Sequence, residues 1–381
     1  MMKILMVDAA ACHSLGYYDL KLCRSLASLK EIEVHLVVPR DFKQKSREIE
    51  ITTYSAHMDK HLNKPKRIFE YLKWLSMVFR LTKKFKPQII HWQMGFFCLL
   101  DFLLSYLIRA WYKNIIFVVT IHDVKPVHPT FNNTFLRKKF FSFFDGFIFH
   151  SEDAKDEFIA RHNISNLIFT IIPHGPLLRR ANKAQRQDVF RKYQIPMNEP
   201  VILSLGTINT NKDYKACLTL ISEMQRIKSN INYLIAGFGD NRHATYIRNE
   251  IQKTTYPSRI KFVNRELLDE EVVLLHQISD FALLLYKNCT TSGAAIHSLC
   301  LGTPVICNDL PGLASVVKDY DNGLIACPES PQRTARKIVD VLNKSQLMKR
   351  LRDNALNSYK NVTWNEVAWK HFTFYKQLLE N

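Results

Sequence analysis

Glycine is scarce in this chain, 11 of 381 residues, and no short repeat runs through it. That excludes collagen-like, linker-like and solenoid architectures. The eight cysteines, at 12, 23, 98, 217, 289, 300, 307 and 327, include no pair at the two-residue spacing of a zinc knuckle or redox motif. Scattered over both halves, they read as reduced thiols buried as small apolar residues. Long oily runs are missing too: Phe96 to Tyr112 is interrupted by Asp101 and Arg109, too short to span a bilayer comfortably. The opening Met-Met-Lys-Ile-Leu-Met-Val-Asp is no signal peptide, because its apolar stretch stops at Asp8. A cytoplasmic location is expected. Acidic residues are few: 35 Asp and Glu face 53 Lys and Arg, a net charge of +18. Such a field attracts polyanions, whether nucleic acid, anionic lipid headgroups or phosphorylated substrates. No nucleic-acid-binding motif accompanies it, so a nucleic-acid partner is not expected. Nor do His, Cys, Asp and Glu cluster at metal-ligand spacing, and no metal site is expected.

What is present is a series of short, continuous apolar runs rich in β-branched residues, with helical stretches between them. The first half has Lys3–Val7, Ile32–Val38, Gln88–His91, Ile115–Thr120, Gly146–His150 and Leu167–Pro173. The second has Val201–Leu205, Tyr233–Ala236, Ile260–Val263, Phe281–Tyr286, Pro304–Cys307 and Leu324–Ala326. Runs without polar alternation are what strands covered on both faces look like. Strand alternating with helix predicts parallel, doubly wound sheets, one in each half. The break falls in the polar, basic stretch Leu177–Pro200, with prolines at 176, 196 and 200.

Charge gathers in the first half, where residues 1–180 carry 27 basic and 16 acidic side chains, a balance of +11. Lys60–Lys86 holds nine Lys or Arg and one acid, Glu70. On a helical wheel Ile68, Tyr71, Leu72, Leu75, Val78 and Phe79 share one face, opposite Lys66, Glu70, Lys73, Arg80 and Lys84. A second patch, Arg137–Phe144, mixes cations with aromatics. Two readings stay open: a surface helix whose apolar face is core, or a helix lying on an anionic membrane surface.

Three strand exits of the second half offer phosphate-binding chemistry. Gly206-Thr207-Ile208-Asn209-Thr210-Asn211-Lys212 presents a glycine turn and an ammonium. Gly237-Phe238-Gly239-Asp240 is a second tight exit. Thr291-Ser292-Gly293 opens a helix, so hydroxyls and free amides converge, with His297 one turn on. In the first half His122 and Asp123 follow an apolar strand, where a carboxylate or imidazole takes a proton from an acceptor hydroxyl, or merely caps a helix.

The chain resembles the family 4 (group 1) glycosyltransferases with the GT-B fold. The resemblance rests on Lys3–Gly16, Thr120-Ile121-His122-Asp123, His150-Ser151-Glu152, Pro173-His174-Gly175-Pro176 and Gly206…Lys212. It rests most on Leu301-Gly302-Thr303-Pro304-Val305-Ile306 with Asp321-Asn322-Gly323-Leu324, and on the closing Thr363-Trp364-Asn365-Glu366…Tyr375. It implies an α/β protein of two Rossmann-like doubly wound domains facing a cleft. Residues 1–178, with a C-terminal helix 365–381 returning to them, would form the acceptor side, and residues 179–364 would bind the donor. The implied activity is metal-independent transfer of a sugar from a nucleotide-sugar donor, a substrate rather than a cofactor, to a saccharide or lipid-linked saccharide in surface polysaccharide synthesis. Implied donor residues are Gly206, Thr207, Asn209, Lys212, Gly237, Thr291, Ser292, Gly293 and His297. Gly16 and Tyr17 fall on the acceptor side, and Asp123 and His122 at the chemistry. The implied partners are the donor and the acceptor; the basic first half adds an anionic membrane surface as a candidate partner, so the expected location is the cytoplasm, with a peripheral place on the inner face of the cytoplasmic membrane as its variant. One departure matters. The family's two glutamates, with seven residues between them, correspond to Cys289 and His297, and its loop arginine falls where this chain has Thr207 and Asn209. A catalytically silent partner subunit of the same fold is therefore the alternative.

Overall fold

The protein is described from a computed structural model covering residues 1–11, 13–42, 44–59, 62–93, 98–124, 134–164, 167–176, 186–289 and 292–380. In chain order the first elements are β1 (Met2–Val7), α1 (His13–Ala27), β2 (Ile32–Val38), β3 (Glu50–Thr53), α2 (Lys64–Phe85) and β4 (Ile89–Trp92). They continue with α3 (Cys98–Trp111), β5 (Ile116–Ile121), α4 (Thr134–Phe141), β6 (Gly146–Phe149), α5 (Glu152–His162) and β7 (Phe169–Ile171). Next come α6 (Arg186–Lys192), β8 (Val201–Leu205), α7 (Tyr214–Ile227), β9 (Asn232–Gly237), α8 (Asn241–Ile251), β10 (Ile260–Asn264), α9 (Asp269–Ile278) and β11 (Phe281–Leu284). The chain closes with α10 (Gly293–Cys300), β12 (Val305–Asn308), α11 (Pro311–Ala314), β13 (Gly323–Ala326), α12 (Pro331–Leu342), α13 (Ser345–Ser358) and α14 (Trp364–Glu380).

Two compact units result, Met1–Leu177 with Val362–Asn381, and Leu178–Asn361. The first holds a seven-stranded sheet in the order β3-β2-β1-β4-β5-β6-β7 and the second a six-stranded sheet, β10-β9-β8-β11-β12-β13. Every strand pair is parallel. Strand order reverses between β1 and β4 in one sheet and between β8 and β11 in the other. At such a switch point neighbouring loops part and leave a crevice outside the carboxyl ends of the strands.

All twelve expected strands form. The additional one, β3, reads Glu-Ile-Thr-Thr and sits at the sheet edge, largely open to solvent. A strand with one apolar residue gives no run to detect. β4, β6 and β9 are buried along their whole length, as sheets covered on both faces require. In the first unit Leu5, Val7, Ile90, Trp92, Phe117 and Val119 pack against Tyr71, Trp74, Val78, Leu104, Ile108 and Phe140 from α2, α3 and α4. α14 covers the other side, where Leu378 and Phe374 lie so close to Gly146 that a Cβ there would sit 2.5 Å and 3.0 Å from them. His91 bonds Tyr375 Oη at 2.6 Å and Thr120 Oγ1 at 2.8 Å.

The basic helix α2 starts at Asn63, whose side chain accepts from the Lys66 amide, with Pro65 in the first turn. It stops at Lys86, left-handed at φ 52°, before Pro87. Its buried stripe is Tyr71, Trp74, Leu75, Val78 and Leu81, which corrects the expected face. Ile68 and Leu72 point outward, because seating the Trp74 indole on the sheet rotates the helix away from them. The Arg137–Phe144 patch also differs from expectation. Phe140, Phe141, Phe144 and the Arg137 side chain are buried, leaving Lys138, Lys139 and Ser142 exposed. The aromatics there are core, not a surface mixed with cations.

Candidate functional site

Functional side chains collect at the carboxyl ends of both sheets. In the second unit β8 leads into Gly206, whose φ of 114° only glycine adopts freely. Its neighbour on β9, Gly237, has φ 150°, and a Cβ there would lie 2.0 Å from the Gly206 carbonyl oxygen. The two exits are thus welded backbone to backbone. Asn209 folds the following loop, its Oδ1 accepting from the amides of Asn211 at 3.0 Å and Lys212 at 3.3 Å. Asn211 then ties this loop to the exit of β11, donating to Asn288 O at 2.8 Å and accepting from Asn288 N at 3.1 Å. The result places Lys212 Nζ 2.8 Å from Leu205 O and 3.1 Å from where a Gly206 Cβ would stand. Burial pulls the Lys212 ammonium down to about 8, so it is still mostly charged near neutral pH.

On the far side of the switch point Ser292 caps α10, its Oγ accepting from Ala295 N at 3.1 Å. Among the described residues nothing beyond its chain neighbours lies within 4 Å of the position a Gly293 Cβ would take, so no described side chain covers the helix N-terminus there. Amides of a first turn have no partner inside the helix and carry the positive end of its dipole. Thr291 lies outside the described residues. Thr207 is exposed and Asn209 half-buried. His297 sits one turn into α10 with a buried Nε2 that has no hydrogen-bond partner, and burial holds it near 4. It is therefore neutral and offers no cation to a phosphate at pH 7.

The first unit's strand ends are built differently. Asp8 ends β1, Gln93 ends β4, His122 ends β5, and His150 ends β6. His174 follows β7. His122 Nε2 lies 2.8 Å from Gln93 Oε1, and its Nδ1 3.2 Å from His150 Nε2. His150 Nδ1 donates to Ile172 O at 2.9 Å. Both nitrogens of His122 are thereby engaged, which leaves neither free for a substrate. Those end bonds put the His122 proton on Nε2 and the His150 proton on Nδ1. The middle link then faces two lone pairs until one more proton enters, or until the Gln93 amide turns over and faces its oxygen to Met6 Sδ. Burial lowers both imidazoles, His150 to about 4.

Tyr18 of α1 fills the space between these rings, with centroids 5.0 Å from His122, 4.8 Å from His174 and 5.3 Å from Trp364. Its hydroxyl is fully buried without a hydrogen-bond partner. Beside it lie Asp8 and Asp19, both wholly buried. Burial raises both carboxyls; hydrogen bonds from Asp19 and the Ala10 amide pull Asp8 back, whereas the Asp8 charge pushes Asp19 further up, so the pair keeps a proton on Asp19. Asp123 remains partly exposed next to His122, and burial brings its carboxyl up to about 6 against the opposing pull of Arg137. Gly16 lies inside α1, where a Cβ would meet the Phe42 ring at 2.9 Å, and the half-buried Tyr17 follows it.

Asp8, Tyr18, Asp19, Gln93, His150 and His174 are site members that sequence reasoning missed. One signal was present: Asp8 and Gln93 are, like His122 and His150, polar residues that directly end an apolar run. Among the described residues no group of three His, Cys, Asp or Glu is placed to hold a metal ion.

Known families match both units. The family model for glycosyl transferases group 1 matches residues 185–358, and that for glycosyltransferase family 4 matches residues 17–176. The chain belongs to the group 1, family 4-like glycosyltransferases. Its fold is GT-B, two Rossmann-like domains. An uncharacterized glycosyltransferase of Methanocaldococcus jannaschii is 26% identical to this family member over 37% of the chain and 39% of its own length. A D-inositol 3-phosphate glycosyltransferase of Corynebacterium efficiens is 22% identical over 49% of the chain and 45% of its own length. The chain thus spans less than half the length of these curated relatives. Among solved structures, sucrose-phosphate synthase of Thermosynechococcus elongatus superposes with a TM-score of 0.82 at 16% identity, over 100% of both chains. Anabaena HepE in complex with UDP-glucose gives 0.76 at 15% identity, again over 100% of both.

Proposed function

We propose that this glycosyltransferase-family chain moves a sugar from a nucleotide-sugar donor, held by the second unit, to a saccharide or lipid-linked saccharide at the strand ends of the first. The observation that carries the reading is the pairing of Lys212 with the open N-terminus of α10 at one switch point. An ammonium and unpaired amides on either side of a crevice match a diphosphate. Charge compensation then comes from Lys212 and the helix, without a metal. In the transfer an acceptor hydroxyl oxygen bonds the anomeric carbon as the bond to the diphosphate oxygen breaks. The nucleoside diphosphate leaves, and the hydroxyl proton goes to Asp123. A carboxyl near 6 is ionised yet still basic at neutral pH, as this step requires. The basic first unit favours an anionic, lipid-held acceptor in surface polysaccharide synthesis, on the inner face of the cytoplasmic membrane.

Calorimetric titration with uridine, guanosine and cytidine diphosphates tests the donor half. Lys212→Ala is expected to weaken the bound diphosphate by about 1.5–3 kcal/mol, the worth of a charge-assisted hydrogen bond. Unchanged affinity in a folded variant removes Lys212 from the site. If no nucleotide diphosphate binds the wild type, the silent partner-subunit reading replaces this one.

A further inference from the structure

α3 is apolar on both sides. Leu104 and Ile108 face the core, while Leu99, Leu103, Tyr106, Leu107 and Trp111 face out, each between 46% and 74% exposed. Their spacing of four, with Tyr106 beside it, draws one unbroken stripe along the helix. An apolar strip of this kind on a protein surface marks a contact. α2 and α4 flank it. Phe79 of α2 meets Trp111 with ring centroids 6.4 Å apart, and Phe143 just beyond α4 meets Phe102 at 5.6 Å. On α2, Ile68, Phe69 and Leu72 are exposed as well.

The charge around this stripe is one-sided. α2, α3 and α4 together carry eleven Lys and Arg but two acids, Glu70 and Asp101. Asp101 is buried and accepts from Tyr71 Oη, and Glu70 holds Lys73 at 2.6 Å. Of the cations only Arg137 is buried. Lys138 and Lys139 on one flank, and Lys66 and Arg80 on the other, stand in solvent.

We propose that the outer face of α3 inserts into the headgroup region of an anionic lipid bilayer, with the lysines of α2 and α4 on the lipid phosphates. Apolar side chains with a tryptophan and a tyrosine between rows of cations fit a surface that is oily below and negative above. A protein partner would have to supply acidic rails on both sides of an apolar ridge, whereas an anionic bilayer presents both everywhere. No helix of the described residues is long and apolar enough to cross the membrane, so the contact lies in the interface plane. The inference deepens the lipid-held acceptor reading and rests on it for purpose, though not for evidence.

The full chain is sedimented with phosphatidylcholine vesicles, with and without phosphatidylglycerol, at low and high salt. Binding is expected only with the anionic lipid. Leu103→Glu with Leu107→Glu, and Lys138→Glu with Lys139→Glu, should each weaken it by about tenfold or more. Tryptophan emission should shift blue on the vesicles, and Trp111→Phe should remove the shift. Circular dichroism and the thermal unfolding midpoint should stay unchanged in both double variants, which reports that the first unit is folded, and nucleotide diphosphate affinity, a property of the second unit, should stay unchanged as well. Binding that is absent, indifferent to the anionic lipid, or unaffected by either double variant overturns the proposal. So does a lipid-free dimer that Leu103→Glu with Leu107→Glu dissociates, which would give the stripe to a second copy of the chain. Loss of diphosphate binding in the wild type would instead strike the transferase reading and leave docking standing.

Discussion

The two units share one topology and place their polar groups at the same point of it, yet with opposite materials. The second unit's crevice is backbone: two positive-φ glycines, a helix N-terminus and one lysine, with little side chain to move. The first unit's is side chain: Asp8, Asp19, Tyr18, Gln93, His122 and His150, packed ring against ring with almost no exposed surface. Backbone amides suit a ligand part that is always the same, such as a diphosphate. Side chains from many strand ends suit a part that varies from one family member to the next. The proposed function thus asks for a fixed socket in the second unit and an adaptable one in the first.

The sharpest way to break this contrast is at Asp123, the half-buried carboxylate of the side-chain site. Asp123→Asn should lower turnover by about 10²–10⁴-fold, the usual share of a general base, while diphosphate affinity stays put. Wild-type kcat should rise as pH climbs through about 6, where the Asp123 carboxyl ionises, and the variant should lose that limb. A pH profile identical in the two would leave Asp123 as a structural residue. Next comes the backbone site. Gly237→Ala must displace the Gly206 carbonyl as well as force an alanine into φ 150°, and should cost more than about 3 kcal/mol by urea unfolding. Smallest, and of opposite sign, is Tyr18→Phe. It removes a buried hydroxyl that has no partner, so stability should hold or rise by up to about 1 kcal/mol. A clear loss would mean that the hydroxyl is satisfied by bound water.

The backbone site was the legible one. Gly206, Lys212 and Ser292 announce themselves because each lies in the loop that directly follows a strand. Of the first unit's site only His122 and Asp123 were legible, since Asp8, Gln93, His122 and His150 come together only once β1, β4, β5 and β6 are laid side by side. His150 reads alone as a strand-end rim residue and His174 as part of a rigid turn. Only the sheet order shows the one ring touching His122 and the other packed on Tyr18. Helix faces failed for a related reason. The wheel of α2 admits several apolar arcs, and the Trp74 indole on the sheet selects among them. β3 escaped notice because an edge strand need not be apolar.

α14 has a consequence for how the molecule is made. The helix that follows the second unit in the chain completes the first: Tyr375 reaches His91, Leu378 and Phe374 seal Gly146, and Trp364 donates to Pro176 O at 2.6 Å beside Gly175. The second unit is in effect an insertion within the first. During synthesis it can close on itself while the first sheet, translated earlier, still waits with the place of α14 beside α1 uncovered. The order of birth and the order of completion are reversed, and a chain cut short before Val362 would carry a finished second unit on an unfinished first.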